Sequence, residues 1–113
     1  MDRNSLIRKL NTIAQEYAGN HGTEITFTDS GLDSDYIFFK YTYRSMNGVY
    51  ISLKIYTDDA ISGFIGTERV LDLKIVGIAS GNSAAIHALI KFILKKVEYI
   101  NTPKINQIRQ MKF

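Results

Sequence analysis

Residues 35–57, DYIFFKYTYRSMNGVYISLKIYT, place two alternating runs on either side of Asn47-Gly48, and no other stretch restricts the fold as much. Strand side chains alternate between two faces, so the pairing of these runs decides which residues meet a core and which meet solvent. A two-residue turn at Asn47-Gly48 sets Lys40 beside Ile55 and Tyr41 beside Lys54, which mixes charge with hydrocarbon on both faces. A three-residue loop, Met46-Asn47-Gly48 with Gly48 left-handed, instead pairs Tyr43 with Ile51, Tyr41 with Leu53 and Phe39 with Ile55. One face is then wholly apolar. Because a one-residue slip flips every side chain, the segregating register is the expected one.

The opposite face carries Tyr36, Phe38, Lys40, Thr42 and Arg44 from the first strand with Tyr50, Ser52, Lys54 and Tyr56 from the second. It is aromatic and basic. This register opposes Lys40 to Lys54, and like charges directly across a sheet repel. An anionic partner would relieve them; so would Asp72 on a neighbouring strand.

Around the hairpin the patterns give further elements. Ser5 can cap a first helix with Leu6, Leu10, Ile13 and Tyr17 at helical spacing, ending at Gly19. A short strand over residues 23–28 turns Ile25 and Phe27 inward. Residues 58–68, DDAISGFIGTE, have two glycines and no stable period, which predicts a loop whose Ile61, Phe64 and Ile65 must dock or stay exposed. A fourth strand follows over 69–78, alternating Leu71, Leu73 and Ile75 against Asp72 and Lys74. After a turn at 80–83, a second helix buries Ile86, Leu89, Ile90, Ile93, Val97 and Ile100, with Phe92 and Leu94 widening the arc; His87, Lys91, Lys95 and Glu98 face away. Thr102-Pro103 predicts a cap and a first-turn proline, hence a last short helix or tail. The expectation is an α+β fold: a four-stranded antiparallel meander with both helices on one face.

Length and composition fit one domain over residues 1–113, with 45% apolar content sufficient for a core. The chain has no cysteine, which excludes a disulfide framework and thiolate chemistry and suits a reducing compartment. The N-terminus lacks an apolar core of signal length, and the run AAIHALIKFIL is broken by His87 and Lys91, so a soluble, cytoplasmic protein without a membrane partner is expected. From residue 82 onward six basic residues (Lys91, Lys95, Lys96, Lys104, Arg109, Lys112) stand against Glu98 alone. Positive charge therefore concentrates in the second helix and a basic tail over 103–113.

Chemical signatures are weak. His21 and His87 have no Ser or Asp at triad spacing, and Asp29, Asp33 and Asp35 lack the glycine and terminal glutamate of a calcium loop. Neither a metal nor a cofactor is expected, and no enzyme class follows. The stretch Asp29-Ser30-Gly31-Leu32-Asp33-Ser34 resembles the short phosphodegron read by ubiquitin-ligase adaptors in eukaryotic proteins. Gly77, Gly81, Asn82 and Ser83 stand where a strand-to-helix turn could hold a phosphate, but such residues are also what any such turn needs.

The order of helix, antiparallel strands and helix, together with residues 77–89, GIASGNSAAIHAL, resembles the double-stranded-RNA-binding domain in layout. That family crosses the major groove with lysines at the start of its second helix, where this chain has Asn82-Ser83-Ala84-Ala85. The chain also has one strand too many.

The sequence therefore predicts a small non-enzymatic binding protein. On the leading reading, nucleic acid stacks on Tyr36, Phe38, Tyr50 and Tyr56, its phosphates meet Lys40, Arg44 and Lys54, and Lys104, Arg109 and Lys112 extend the contact. On the alternative, the same face or the loop around Phe64 docks on a protein or a second copy of the chain, making it an interaction module, regulator or inhibitor. The Lys-, Asn- and Ile-rich composition resembles that of compact regulators encoded by mobile elements. On a third reading, the 58–68 loop or the last helix covers the face and leaves no site.

Overall fold

The hairpin runs do pair, and they form the middle of a larger sheet. The structure, a computed structural model, describes residues 2–18, 23–29, 36–43 and 49–111, with side-chain surroundings for all but 23, 42, 43 and 98–111. In chain order the elements are α1 (Arg3–Ala14), β1 (Thr23–Asp29), β2 (Ile37–Tyr43), β3 (Val49–Ile55), β4 (Ala60–Ile65), β5 (Glu68–Lys74) and α2 (Ser83–Met111). The strands make one antiparallel meander in the order β1-β2-β3-β4-β5. The α+β architecture is as the sequence indicates, with five strands rather than four.

The additional strand is β4, inside the segment expected to be a loop. Ile61 and Gly63 point inward while Ser62 and Phe64 point outward, so the alternation exists but one core position is a glycine. A Cβ on Gly63 would lie 2.8 Å from Leu71 Cδ1, 2.9 Å from Leu71 Cβ and 3.1 Å from Leu53 Cδ2. Two leucines fill the space a side chain would take. The β4–β5 turn is Gly66-Thr67, with Gly66 at φ +61, a left-handed conformation that glycine adopts without steric cost. β5 is also shorter than expected, ending at Lys74 before a turn that buries Ile78.

The β2–β3 register differs from the expected one. Ile37 pairs with Leu53, Phe39 with Ile51, Lys40 with Tyr50 and Tyr41 with Val49. Each residue of β2 sits four positions away from its expected partner, an even shift, so both faces keep their side chains. The physical gain is that Lys40 faces a tyrosine ring and not Lys54. The expected turn, residues 46–48, lies outside the described residues.

The inner face is continuous hydrocarbon. Ile25, Phe27, Ile37, Phe39, Ile51, Leu53, Ile61 and Leu71 are buried, and the Phe27 and Phe39 rings pack tilted at 5.2 Å. Both helices cover this face: α1 contributes Leu6, Leu10 and Ala14, and α2 contributes Ala85, Ile86, Leu89, Ile90, Ile93 and Val97. Each fully buried Val, Leu, Ile or Phe side chain among them stabilises the fold by about 1.5–3 kcal/mol. Phe92 is 41% exposed and lies off the buried stripe, while Ile100 and Glu98 lie outside the described side chains.

Polar contacts fix the helices on the sheet. The cap of α1 is Asp2, not Ser5; its carboxylate accepts from the Ser5 N–H and hydroxyl, both at 2.9 Å, and these bonds hold its pKa below the ordinary aspartate value. Asn11 accepts from the Phe27 N–H at 2.7 Å and donates to the Phe27 carbonyl at 2.8 Å, pairing an outward backbone position of edge strand β1. His87, expected to face solvent, is drawn between the helices: its Nδ1 lies 2.6 Å from the Tyr17 hydroxyl and its Nε2 3.7 Å from Glu16. Asn82 caps α2 through Ala85 N–H. α2 then continues to Met111 without the break expected at Pro103, which the helix carries at an interior position where proline costs about 3 kcal/mol.

Asp59 ties the β3–β4 turn to the turn before α2. Its carboxylate accepts from the N–H groups of Gly77 at 3.1 Å and Ala79 at 3.0 Å, while its own φ is +71. Those two bonds hold its pKa below the ordinary value. At this turn the Gly77 and Ala79 N–H groups thus bind an internal carboxylate, while those of Gly81 and Asn82 donate to the Ile78 and Gly77 carbonyls. No helix among the described residues is long and apolar enough to cross a membrane.

Candidate nucleic-acid interface

The outer face of the sheet is built from residues that alternate with the core. Across it, Thr28, Phe38, Ser52, Phe64 and Arg69 lie side by side from β1 to β5. A second row holds Thr26, Lys40 and Tyr50, and a third holds Lys54, Ser62 and Asp72. Both helices belong to the other face. Among the described residues nothing packs over this one, and the 58–68 segment, expected to be a loop and on one reading a cover for this face, is instead part of the sheet through β4.

Large side chains stay open to solvent here: Phe38 is 44% exposed, Tyr50 59% and Tyr56 40%. Lys40, Lys54 and Arg69 each rest against a ring, while Lys74 on β5 alternates onto the same face with Asp72. Lys40 Nζ lies 5.7 Å from the Tyr50 centroid, and Lys54 Nζ lies 5.0 Å from that of Tyr56 and 6.0 Å from that of Tyr36. Arg69 lies 5.5 Å from the Phe64 centroid and 3.6 Å from an Asp72 oxygen, so its charge is already partly met. Tyr36 meets Phe64 edge-on at 6.3 Å. Attraction to a ring face positions the Lys40 ammonium beside Tyr50.

Tyr36, Phe38, Lys40, Tyr50, Lys54 and Tyr56 thus share one surface. Arg44 and Lys112 lie outside the described residues, as does His21. Lys104 and Arg109 stand on the last turns of α2, where side chains are not described. Lys91 and Lys95 are exposed on the helical layer, away from Lys40 and Lys54, so the positive charge of α2 up to Val97 is a separate surface from the sheet face. Asp72 is paired with Arg69 and lies three strands from Lys40; with Glu24 on β1 it brings acid to both margins of the face.

Phe64, Arg69, Thr26 and Thr28 complete this surface; the sequence pointed to Phe64 only as part of a loop that could dock on a partner, and did not single out the other three. The first two could have been found from the alternation Ile61, Gly63, Ile65 with Gly66-Thr67 as a two-residue hairpin turn.

Between β1, β2 and β3 the outer face is hollow, with about 330 Å³ bounded by Thr26, Thr28, Phe38, Lys40, Tyr50 and Ser52. A second hollow of about 460 Å³ lies at the end of the sheet beside Arg3, Lys54, Tyr56 and Ala79. There Arg3 is engaged with Asp29 at 2.9 Å and with the Tyr36 carbonyl. Among the described residues no three His, Asp or Glu side chains gather as a metal site would require. No family model, curated protein or solved structure matches the chain.

Proposed function

We propose that this protein binds single-stranded nucleic acid on the open face of its sheet, without catalysis. The observation that supports this most is the joint placement of exposed Phe38 and Tyr50 with Lys40 on the two central strands of a surface neither helix covers. Bases have π-faces that stack on aromatic rings in a sequence-tolerant way, and phosphates are met by ammonium groups. A sheet face offers both at strand spacing. A duplex buries its base faces, so the exposed rings add nothing to its binding, and the face carries no lysine-bearing helix end to cross a groove.

Fluorescence anisotropy of labelled single- and double-stranded oligonucleotides, at low and physiological salt, tests the reading beside a Lys40→Ala/Lys54→Ala variant. Counterion release makes affinity fall with salt, and for single strands each neutralised phosphate adds about 0.7 to the log–log slope. The expected result is single-strand binding that weakens with salt, with a shallower slope in the variant. Absence of binding at low salt overturns the reading and leaves the aromatic face to a protein partner or a second copy.

A further inference from the structure

Resting on that reading, we infer that the hollow between Phe38 and Tyr50 is a subsite for one nucleobase, with a preference for bases carrying ring carbonyls. Phe38 pairs with Ser52 and Lys40 with Tyr50, so the two aromatic rings stand diagonally across adjacent strands. Diagonal neighbours on a sheet are about 7–8 Å apart. That is the spacing at which a planar ring can enter between two others and contact both.

The floor and sides are polar and small. Thr26, Thr28 and Ser52 bring three hydroxyls to the hollow, each able to donate and to accept, and none has a hydrogen-bond partner among the described residues. Ser52 is flanked across the strands by Phe38 on one side and Phe64 on the other, so it is a low point between aromatic walls. The volume of about 330 Å³ lies at the lower end of small-ligand sites, the size of a single base or nucleoside and not of a longer stack.

Lys40 sets the preference. Its ammonium is a donor without acceptor capacity, drawn toward the Tyr50 ring at the rim of this hollow. Inside the hollow it complements the carbonyl oxygens of thymine, uracil or guanine and meets the exocyclic amine of adenine poorly. Phosphates then fall to Lys54 and the outer rim.

The test compares wild-type binding of a short oligo-dT, an oligo-dA and an abasic strand of equal length, at low salt, with Phe38→Ala/Tyr50→Ala and Lys40→Met variants. Both aromatic positions are exposed, so folding of the double variant is checked by circular dichroism and a thermal melt. The subsite predicts that oligo-dT binds about tenfold or more tighter than the abasic strand and that Phe38→Ala/Tyr50→Ala removes this difference while abasic binding persists. It also predicts that Lys40→Met abolishes the preference of dT over dA. A lysine that only meets phosphates lowers affinity for all sequences alike; that result overturns the base preference. Equal wild-type affinity for oligo-dT and abasic strands overturns the subsite but leaves the sheet face as a phosphate-binding surface. No binding of any strand overturns both.

Discussion

At the scale of single residues, two positions carry consequences out of proportion to their size. Gly63 is an inward position that Leu71 and Leu53 already fill, with a Leu71 Cβ only 2.9 Å from where a side chain would begin. Gly63→Ala is therefore expected to destabilise the fold by about 1–3 kcal/mol through overpacking, measured by urea denaturation. Gly66→Ala, which meets nothing within 4 Å but stands at φ +61, is expected to cost less, about 1 kcal/mol from backbone strain alone. Gly63 also hid β4 from the sequence: an alternation with a blank at one core position reads as no alternation.

Asp59 is the other. Its carboxylate joins two turns through Gly77 and Ala79, and those bonds lower its pKa. A group whose pKa is depressed by folding contributes stability above its unfolded value, about 3.9 for aspartate, and that contribution disappears as pH falls through the folded value. Wild-type protein is thus expected to lose stability on acidification below about pH 4. Asp59→Asn, which keeps tolerance for the left-handed backbone but loses one acceptor oxygen, should melt lower at neutral pH, with the gap to wild type narrowing as the pH is lowered. Thermal melts across pH 2.5 to 7 (an approximate range set by the carboxylate values) check this; a gap constant with pH contradicts the clamp. Asp2 titrates in the same sense through the α1 cap, so the variant retains part of the slope.

At the scale of elements, the sheet depends on how its first edge is managed. β1 is an edge strand, and Asn11 of α1 pairs both backbone groups of Phe27 on its open side. Asn11→Leu leaves that N–H and carbonyl without the amide, an expected loss of about 1–3 kcal/mol per unsatisfied group, less where water enters. A more accessible edge should also raise self-association, read by light scattering on partial heating. Asn11→Asp separates the two bonds, since it keeps the acceptor and removes the donor.

The elements also show where sequence reasoning holds. The hairpin faces, the inward Ile25 and Phe27, and the α2 stripe from Ile86 to Val97 were legible because strand and helix periods place hydrocarbon on one side. The β2–β3 register was not. Shifts by an even number of positions preserve both faces, so face segregation alone cannot choose among them; in the observed register Lys40 meets the Tyr50 ring instead of Lys54. The α1 cap moved from Ser5 to Asp2 because a carboxylate reaching the N3 N–H and hydroxyl satisfies two donors at once. Most of the candidate surface came from the hairpin alone; Thr26 and Thr28 of β1, with Phe64 and Arg69, required knowing which strands flank it.

At the scale of the whole molecule, the chain is a two-layer fold with unlike sides. The helical layer covers the core and carries Lys91 and Lys95 outward; the sheet layer presents rings, hydroxyls, Lys40 and Lys54. A net charge of +3 is modest, so any nucleic-acid affinity must come from this local arrangement and its stacking rings and not from a bulk field. Removing the sheet-face lysines should therefore change binding more than an equal charge change at Lys91 and Lys95, a comparison made by titrating the two double variants at one salt concentration.

The most direct measurement is a backbone amide chemical-shift map of the protein titrated with single-stranded oligo-dT at low salt. The account predicts shifts centred on β1, β2 and β3, around Thr26, Phe38, Lys40, Tyr50 and Ser52, with α2 from Ser83 to Val97 little changed. Shifts concentrated along α2, or none at saturating oligonucleotide, would contradict it.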